Sequence, residues 1–540
     1  MVRMHSLSRL IPIVFCFVFI AFALQNCQDS QHSFQDKDVF RYNEFRNVTS
    51  LDPAFARNPQ NIWPVNQLFN GLVQLDEKLS IRPDIAKSWT LDKSGLTYTF
   101  SLREDVFFHE SKVFGSKETR SVEAADFVYS LNRLVDPKLG SPGGWVIQNV
   151  DSIYTTNKHT LKIRLKKPYP AFLGLLAMRY CSVVPKEATQ KHGSEFRKKP
   201  IGTGPFKFQF WEEDVKLVLR RNPLFYEKDS LGYSLPYLEA VAIQFIPDIQ
   251  SEFMLFLQGK FDFLNSLDSS YKDELLTPNG ELQPKYKDQL NIQVGPYLNT
   301  EYIGIYRDAP NPAIQSKEIR SAITMGFDRS KMILYLRNNI GFAATKGFIP
   351  MGLPGHLSNA QVAYNPTKAR TLVDSFVKRT AIKPRLRLAT DANYLDICQY
   401  LQKELEKIGI EIQIDLMPTA SLRQAKSSGK LELFRASWIA DYPDAENYLG
   451  LFYSKNFSPN GPNYTHYSNP IFDKDFEASY GINTIEKREI QYQKLDSLVI
   501  TDQPVIPLYY DKVIRFVQKN ISGLSLNPIN ILSLKTVKKK

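Results

Sequence analysis

The chain has 540 residues, of which 43% are hydrophobic, 12% aromatic and 23% charged, with a formal net charge of +12. That length exceeds a single ordinary core and predicts two or three packed lobes. The basic residues are spread among acids, the only dense run is the tail "KTVKKK" (535–540), and no RNP-like, zinc-finger or basic-helix pattern occurs, which argues against nucleic acid as a partner.

The N-terminus carries Arg3 and Arg9, then the uncharged apolar run "LIPIVFCFVFIAFAL" (10–24). The run is shorter than the ~20 residues of a spanning helix, so it reads as a secretory signal. "LQNC" follows, with Leu24 three positions before Cys27. It resembles a lipobox, although Asn26 stands where Gly, Ala or Ser is usual, and it predicts residues 1–27 as a lipoprotein signal with lipidation at Cys27. The polar stretch 28–38 suits a tether. Cys181 and Cys398 each sit among apolar neighbours and are expected as buried free thiols. With no CxxC and no His/Cys cluster, neither metal nor other cofactor is expected.

Strands are predicted at 38–45 and 95–105, where large apolar and polar residues alternate. A helix and turn are predicted over 61–76. The pattern over 121–137 predicts a helix capped by Ser121, with Ala124, Phe127, Val128, Leu131 and Leu134 on one face. Strands at 160–170 and 216–226 follow. From 294 the pattern changes: a strand at 294–307, a helix over 316–336 broken around Gly326, a strand at 384–390, a helix at 394–409, and strands at 410–417 and 431–441. The segment 504–518 closes the series as a strand. Alternating strands and helices predict an α/β chain with two sheet-centred lobes, and ligands in such folds sit outside strand C-termini. Asp441, just after the strand "LELFRASWIA", occupies that position.

"SLDPAF" (50–55), "EAADFVYSLNRLVDP" (123–137), "GTGPFKF" (202–208), "RNPLFY" (221–226), "EIRSAITMGFDR" (318–329), "WIADYPDAENYL" (438–449), "NYTHYSNPIFD" (463–473) and "PVIPLYYDKV" (504–513) occur in this order. Each is weak alone; together they resemble the extracellular solute-binding proteins of family 5, the peptide- and nickel-binding components of ABC importers, across the mature chain. The resemblance implies a two-lobed periplasmic-binding-protein fold, class II-like, with an inserted subdomain. Its expected division is 39–55 lobe I, 56–167 insertion, 168–296 lobe I, 297–503 lobe II and 504–540 return to lobe I, with crossings near 294–300 and 501–507.

It also implies that Asp441 pairs with a peptide's α-ammonium and that Arg435 can meet its carboxylate terminus, with the peptide bound as an extended strand. Trp438, Ala440 and Tyr442 would line the site. The first-lobe tyrosine usual near the amine is not found in "KLGSPGGWVIQ" (138–148), where Trp145 is the nearest aromatic. Asp444 is expected as a helix cap, and Tyr464, Thr465 and His466 as structural. The partners implied are a peptide, an inner-membrane ABC permease and a lipid anchor, for a monomer in the periplasm or cell envelope. Rival readings are an enzyme, for which no HExxH, GxSxG or Walker loop is present; an adhesin or signalling lipoprotein; and a receptor for dipeptides, murein peptides, sugars or nickel chelates, the last disfavoured by the absence of a His cluster.

Overall fold

The computed structural model describes residues 38–540 apart from 266, 267, 269 and 483. Cys27, the signal 1–27 and nearly all of the tether fall outside the described residues.

The first lobe is built on two four-stranded sheets. One runs in the order Val39–Asn43, Ala240–Gln244, Lys216–Arg221, Phe206–Glu212; the other in the order Ala86–Leu91, Thr97–Leu102, Thr160–Leu165, Val150–Asn157. One continuous apolar core joins them, from Phe40 and Phe100 to Ile243, and it also takes in Leu532, Leu534 and Val537 at the other end of the chain. The helix Ala124–Arg133 lies on this core through Ala124, Phe127, Leu131 and its C-cap Leu134. Its start differs from the sequence reading. Glu123, not Ser121, is the N-cap, and Asp126 reaches back to accept from the Glu123 N–H at 2.9 Å. Arg120 then holds Asp126 by two 2.8 Å bonds. The 61–76 segment divides into the helix Pro59–Leu68 and a short strand, Val73–Leu75.

A seven-stranded mixed sheet forms the second lobe and runs on into the first, in the order Phe263–Leu264, Val505–Gln518, Leu290–Ile305, Leu433–Ile439, Arg385–Thr390, Glu411–Leu416, with Phe342–Ala343 also on Val505–Gln518; Phe263 and Val517 pack in the first-lobe core. Arg385–Thr390, the helix Leu395–Glu406 and Glu411–Leu416 form the predicted parallel βαβ unit. The break at Gly326 is present, between helices Lys317–Met325 and Arg329–Arg337. A Cβ there would lie 2.6 Å from Ile408 and 2.8 Å from the Ala322 carbonyl, so the close approach requires glycine. Cys181 and Cys398 are buried free thiols.

Contacts between the lobes include the following two. Tyr442, from the second lobe's chain, is buried in the first lobe's core. Leu79, at a loop tip of the first lobe with φ +62°, packs into the second lobe's cluster with Leu298, Phe348 and Phe452.

Candidate ligand-binding cleft

The strand Leu433–Ile439 lies antiparallel to Leu290–Ile305, with Ile303 opposite Arg435 and Thr300 opposite Trp438. Side chains alternate along a strand, so Arg435 and Trp438 face opposite sides. Burial falls toward its C-terminal end, and the Ala440 N–H then bonds the Leu298 carbonyl at 2.9 Å. Asp441 emerges at this edge. The chain turns at once: Ala445, not Asp444, is the N-cap of the short helix Glu446–Leu449, while Asp444, one residue earlier, accepts from the Glu446 N–H at 3.0 Å and lies 3.3 Å from Arg488.

Asn447 on that short helix organises the edge. Its Oδ1 accepts from the Trp438 Nε1–H at 2.9 Å and from the Asp441 N–H at 3.2 Å, while its Nδ2 donates to Asp441 Oδ2 at 3.3 Å. One amide thus fixes the tryptophan, the backbone turn and the carboxylate. Tyr448 beside it donates to the Leu298 carbonyl at 2.7 Å.

Asp441 is exposed, with no cation in ion-pair contact among the described residues. Even so, desolvation by the protein around it raises its carboxyl above the usual range, while Asn447 and the charge of Arg57 pull it back. Asp441 is thus open to solvent and yet close to surrounding protein. Arg57 belongs to the first lobe; it too is exposed and without an ion pair among the described residues. Its charge also reaches Tyr180 and Tyr464. Tyr180, buried on the turn Arg179–Cys181, is pushed up to about 12 by burial, against Arg57 and with Asp441. It is a first-lobe tyrosine near enough to Asp441 to feel its charge. A Cβ on Gly143 would come within 2.5 Å of its ring.

Arg435 and Asp441 are not brought together. Arg435 is buried and ion-paired to Glu301, the diagonal neighbour on the adjacent strand, and its guanidinium lies over Tyr394. Burial opposes its charge, but Glu301 more than offsets this and holds the arginine firmly protonated. Arg337 and Asp511 pair at 2.9 Å nearby, and Asn299 donates to Glu301 at 3.0 Å. The result is a group of two acids and two guanidinium ions, with Glu301 and Arg435 buried and Arg337 and Asp511 half-buried.

Trp438 is half-buried. Ala440 and Tyr442, expected to line the ligand, are both buried. Tyr442 donates to Glu446, which also accepts from Tyr480 at 3.0 Å and from Tyr169 of the first lobe at 2.9 Å. Trp145 is 42% exposed, its ring 6.3 Å from that of Tyr442. His466 stacks on Phe457 and bonds Asp308 at 2.8 Å, Thr465 bonds Asn463 at 3.0 Å, and Tyr464 lies beneath Lys426, so this loop is internally knit. Sequence reasoning missed Asn447, Tyr180, Arg57 and Glu446. Asn447 lay inside the quoted "WIADYPDAENYL", but nothing in its spacing showed that its amide would fold back onto Asp441.

No group of three or more His, Cys, Asp or Glu among the described residues could hold a metal ion, and no described helix is long and apolar enough to cross a membrane. The profile of the bacterial extracellular solute-binding proteins, family 5 Middle, matches residues 80–460. The glutathione-binding protein GsiB of Salmonella typhi is 23% identical over 490 residues, 89% of this chain and 91% of the relative. Among solved structures, the DppA periplasmic binding protein of Helicobacter pylori, in complex with the peptide STSA, superposes with a TM-score of 0.78 at 21% identity, covering 93% of this chain and 98% of that one. HbpA2 of Haemophilus parasuis gives 0.78 at 21%, covering 93% and 100%. The fold is therefore that of the two-lobed periplasmic binding proteins, and the chain belongs to the bacterial extracellular solute-binding proteins of family 5, which are solute carriers and not enzymes.

Proposed function

We propose that this chain is the substrate-binding lipoprotein of an ABC importer, capturing oligopeptides between its lobes and delivering them to an inner-membrane permease. The observation that carries the reading is Asp441: a carboxylate without an ion-pair partner among the described residues, fixed by Asn447 and close to surrounding protein. A peptide α-ammonium supplies the missing cation, and in a water-poor cleft that pairing is far stronger than in bulk water. Arg57 is the available cation on the facing lobe, suited to a ligand carboxylate. Arg435 can serve a carboxylate only in competition with Glu301. The relatives support this class of ligand, since peptides and glutathione alike carry an ammonium and carboxylates.

The division into 39–55, 56–167, 168–296, 297–503 and 504–540 is kept as part of the proposal, supported by the packing of residues 532–537 with the first-lobe core. The hinge falls where Leu290–Ile305 and Val505–Gln518 shift register between Pro296 and Thr300. Lipid attachment at Cys27 would tether a monomer to the envelope membrane, with the lobes in the periplasm. The mass of the mature N-terminus tests that attachment.

Native mass spectrometry of gently purified protein, followed by denaturing release, tests the ligand. A ladder of peptide masses, lost in Asp441→Asn, is expected. A single mass equal to glutathione would narrow the ligand to that tripeptide. A non-peptide mass indifferent to Asp441 would refute the reading.

A further inference from the structure

A second cavity lies in the first lobe, apart from Asp441. It has a volume of about 540 Å³ and is lined by, among others, Asn70, Asp84, Arg179, Ser525, Asn527 and Lys535. Arg179 is 9% exposed. Its Nη2 donates to the Ala177 carbonyl at 2.9 Å, and its buried Nε has no partner. Among the described residues it makes no ion pair. Of the other cations of the wall, Arg82 pairs with Asp76 at 2.8 Å and Lys535 with Glu227, while Lys78 is exposed.

Asp84 is the nearby acid whose charge reaches Arg179. It is already committed to three donors, Asn70 Nδ2 at 3.0 Å, the Gly71 N–H at 3.1 Å and the Tyr226 hydroxyl. A buried guanidinium with an unmade hydrogen bond and no contacting anion is costly unless something enters to pair with it. Guanidinium geometry matches a carboxylate, and the negative charge of Asp84 close by disfavours a multiply charged anion.

We propose that this cavity is an anion pocket in which Arg179 pairs with a single carboxylate group, from a free small acid or from an acidic side chain of the captured ligand. The second source rests on the peptide reading above; the first does not. The cavity is bounded on one side by the loop 76–80, whose Leu79 packs into the second lobe, so an occupant would bear on the contact between lobes.

The test uses the ligand-free mature chain titrated with sodium acetate and, separately, sodium phosphate, following the unfolding midpoint. Acetate should raise it saturably and more effectively than phosphate. Arg179→Met should weaken the response at least about tenfold, as should Ser525→Trp, which fills the cavity and leaves Arg179 in place. Asp441→Asn should keep the response even where peptide binding is lost. In a second arm, Ala-Glu-Ala and Ala-Gln-Ala are compared. Discrimination that disappears in Arg179→Met assigns the pocket to a ligand side chain, and an acetate response without discrimination assigns it to free acids. A preference for phosphate overturns the carboxylate assignment. The absence of any Arg179-dependent response to acetate or to Ala-Glu-Ala overturns the pocket.

Discussion

Glu446 joins the two lobes, and replacing one of its partners tests how closure is held. Its carboxylate is buried and accepts three tyrosine hydroxyls. Burial raises it, and the hydroxyls of Tyr442, Tyr169 and Tyr480 pull it back. Tyr442 and Tyr480 belong to the same lobe as Glu446, whereas Tyr169 comes from the other. The Tyr169 bond to Glu446, 2.9 Å long, must break when the lobes part, together with the 3.3 Å contact of Tyr169 with the Tyr442 hydroxyl. A hydrogen bond contributes about 0.5–1.5 kcal/mol net, and about 1.5–3 where the acceptor is ionised, so Tyr169→Phe should shift the open–closed balance toward open by roughly 2- to 150-fold. Tyr480→Phe removes a bond of similar length, 3.0 Å, from the same oxygen pair but within one lobe. It should lower thermal stability and leave the balance nearly unchanged. A fluorophore on each lobe, read as a distance distribution without ligand, separates the two effects. If Tyr169→Phe leaves the distribution unmoved, or Tyr480→Phe moves it equally, the cross-lobe bond does not hold the closed form.

Asn447→Ala should free Asp441 and Trp438 together and weaken ligand capture by about 1–3 kcal/mol, measured by calorimetry against Asp441→Asn; the two losses should not add, because both act on one carboxylate. His109 is buried, its Nδ1 accepting from the Gly202 N–H at 3.2 Å and its Nε2 lying 3.1 Å from the Gly204 carbonyl. Burial drives its pKa down to about 4. The unfolded chain, with a histidine near 6.5, takes up the proton first, so stability falls as pH drops from about 6.5 through about 4, by about 3 kcal/mol in all. Urea unfolding of His109→Gln should show a flatter acid limb over that window. In "GTGPF", a Cβ on Gly202 would run into the Leu68 carbonyl, and one on Gly204 would stand 2.5 Å from the Gln67 carbonyl. Gly202→Ala and Gly204→Ala should each destabilise by about 3 kcal/mol in denaturant titrations.

Much of the second lobe was legible because its signals are local. The apolar run 504–518 became the strand Val505–Gln518, and the glycine at 326 broke a helix where a side chain would not fit. The strand Val150–Asn157 went unread, since it is an edge strand with most of its residues exposed and carries no alternating apolar face. Ser121 looked like a cap by residue type, but Arg120 holds Asp126 so that Glu123 becomes the cap. At the site, strand end and aspartate were readable from one stretch of sequence. The fate of Arg435 was not, because its partner Glu301 lies 134 residues away and is met only through the sheet register. The same limit hid Tyr180 and Arg57, which approach Asp441 from the other lobe.

The strands Leu290–Ile305 and Val505–Gln518 are bonded on both sides of an unpaired stretch between Pro296 and Thr300. A two-strand ribbon bends easily across its width but resists sliding along its length, because sliding breaks every rung of the ladder at once. Under the proposed hinge the lobes would open as pages on a spine, and each closing would return Tyr169 to the same oxygen of Glu446. One residue inserted among 297–299 would fall outside the ladder to Val505–Gln518 but would disturb the pairing of Asn299 with Ile439 and the bonds at Leu298. One inserted at 301–305 would turn Glu301 away from Arg435 and leave a buried charge alone.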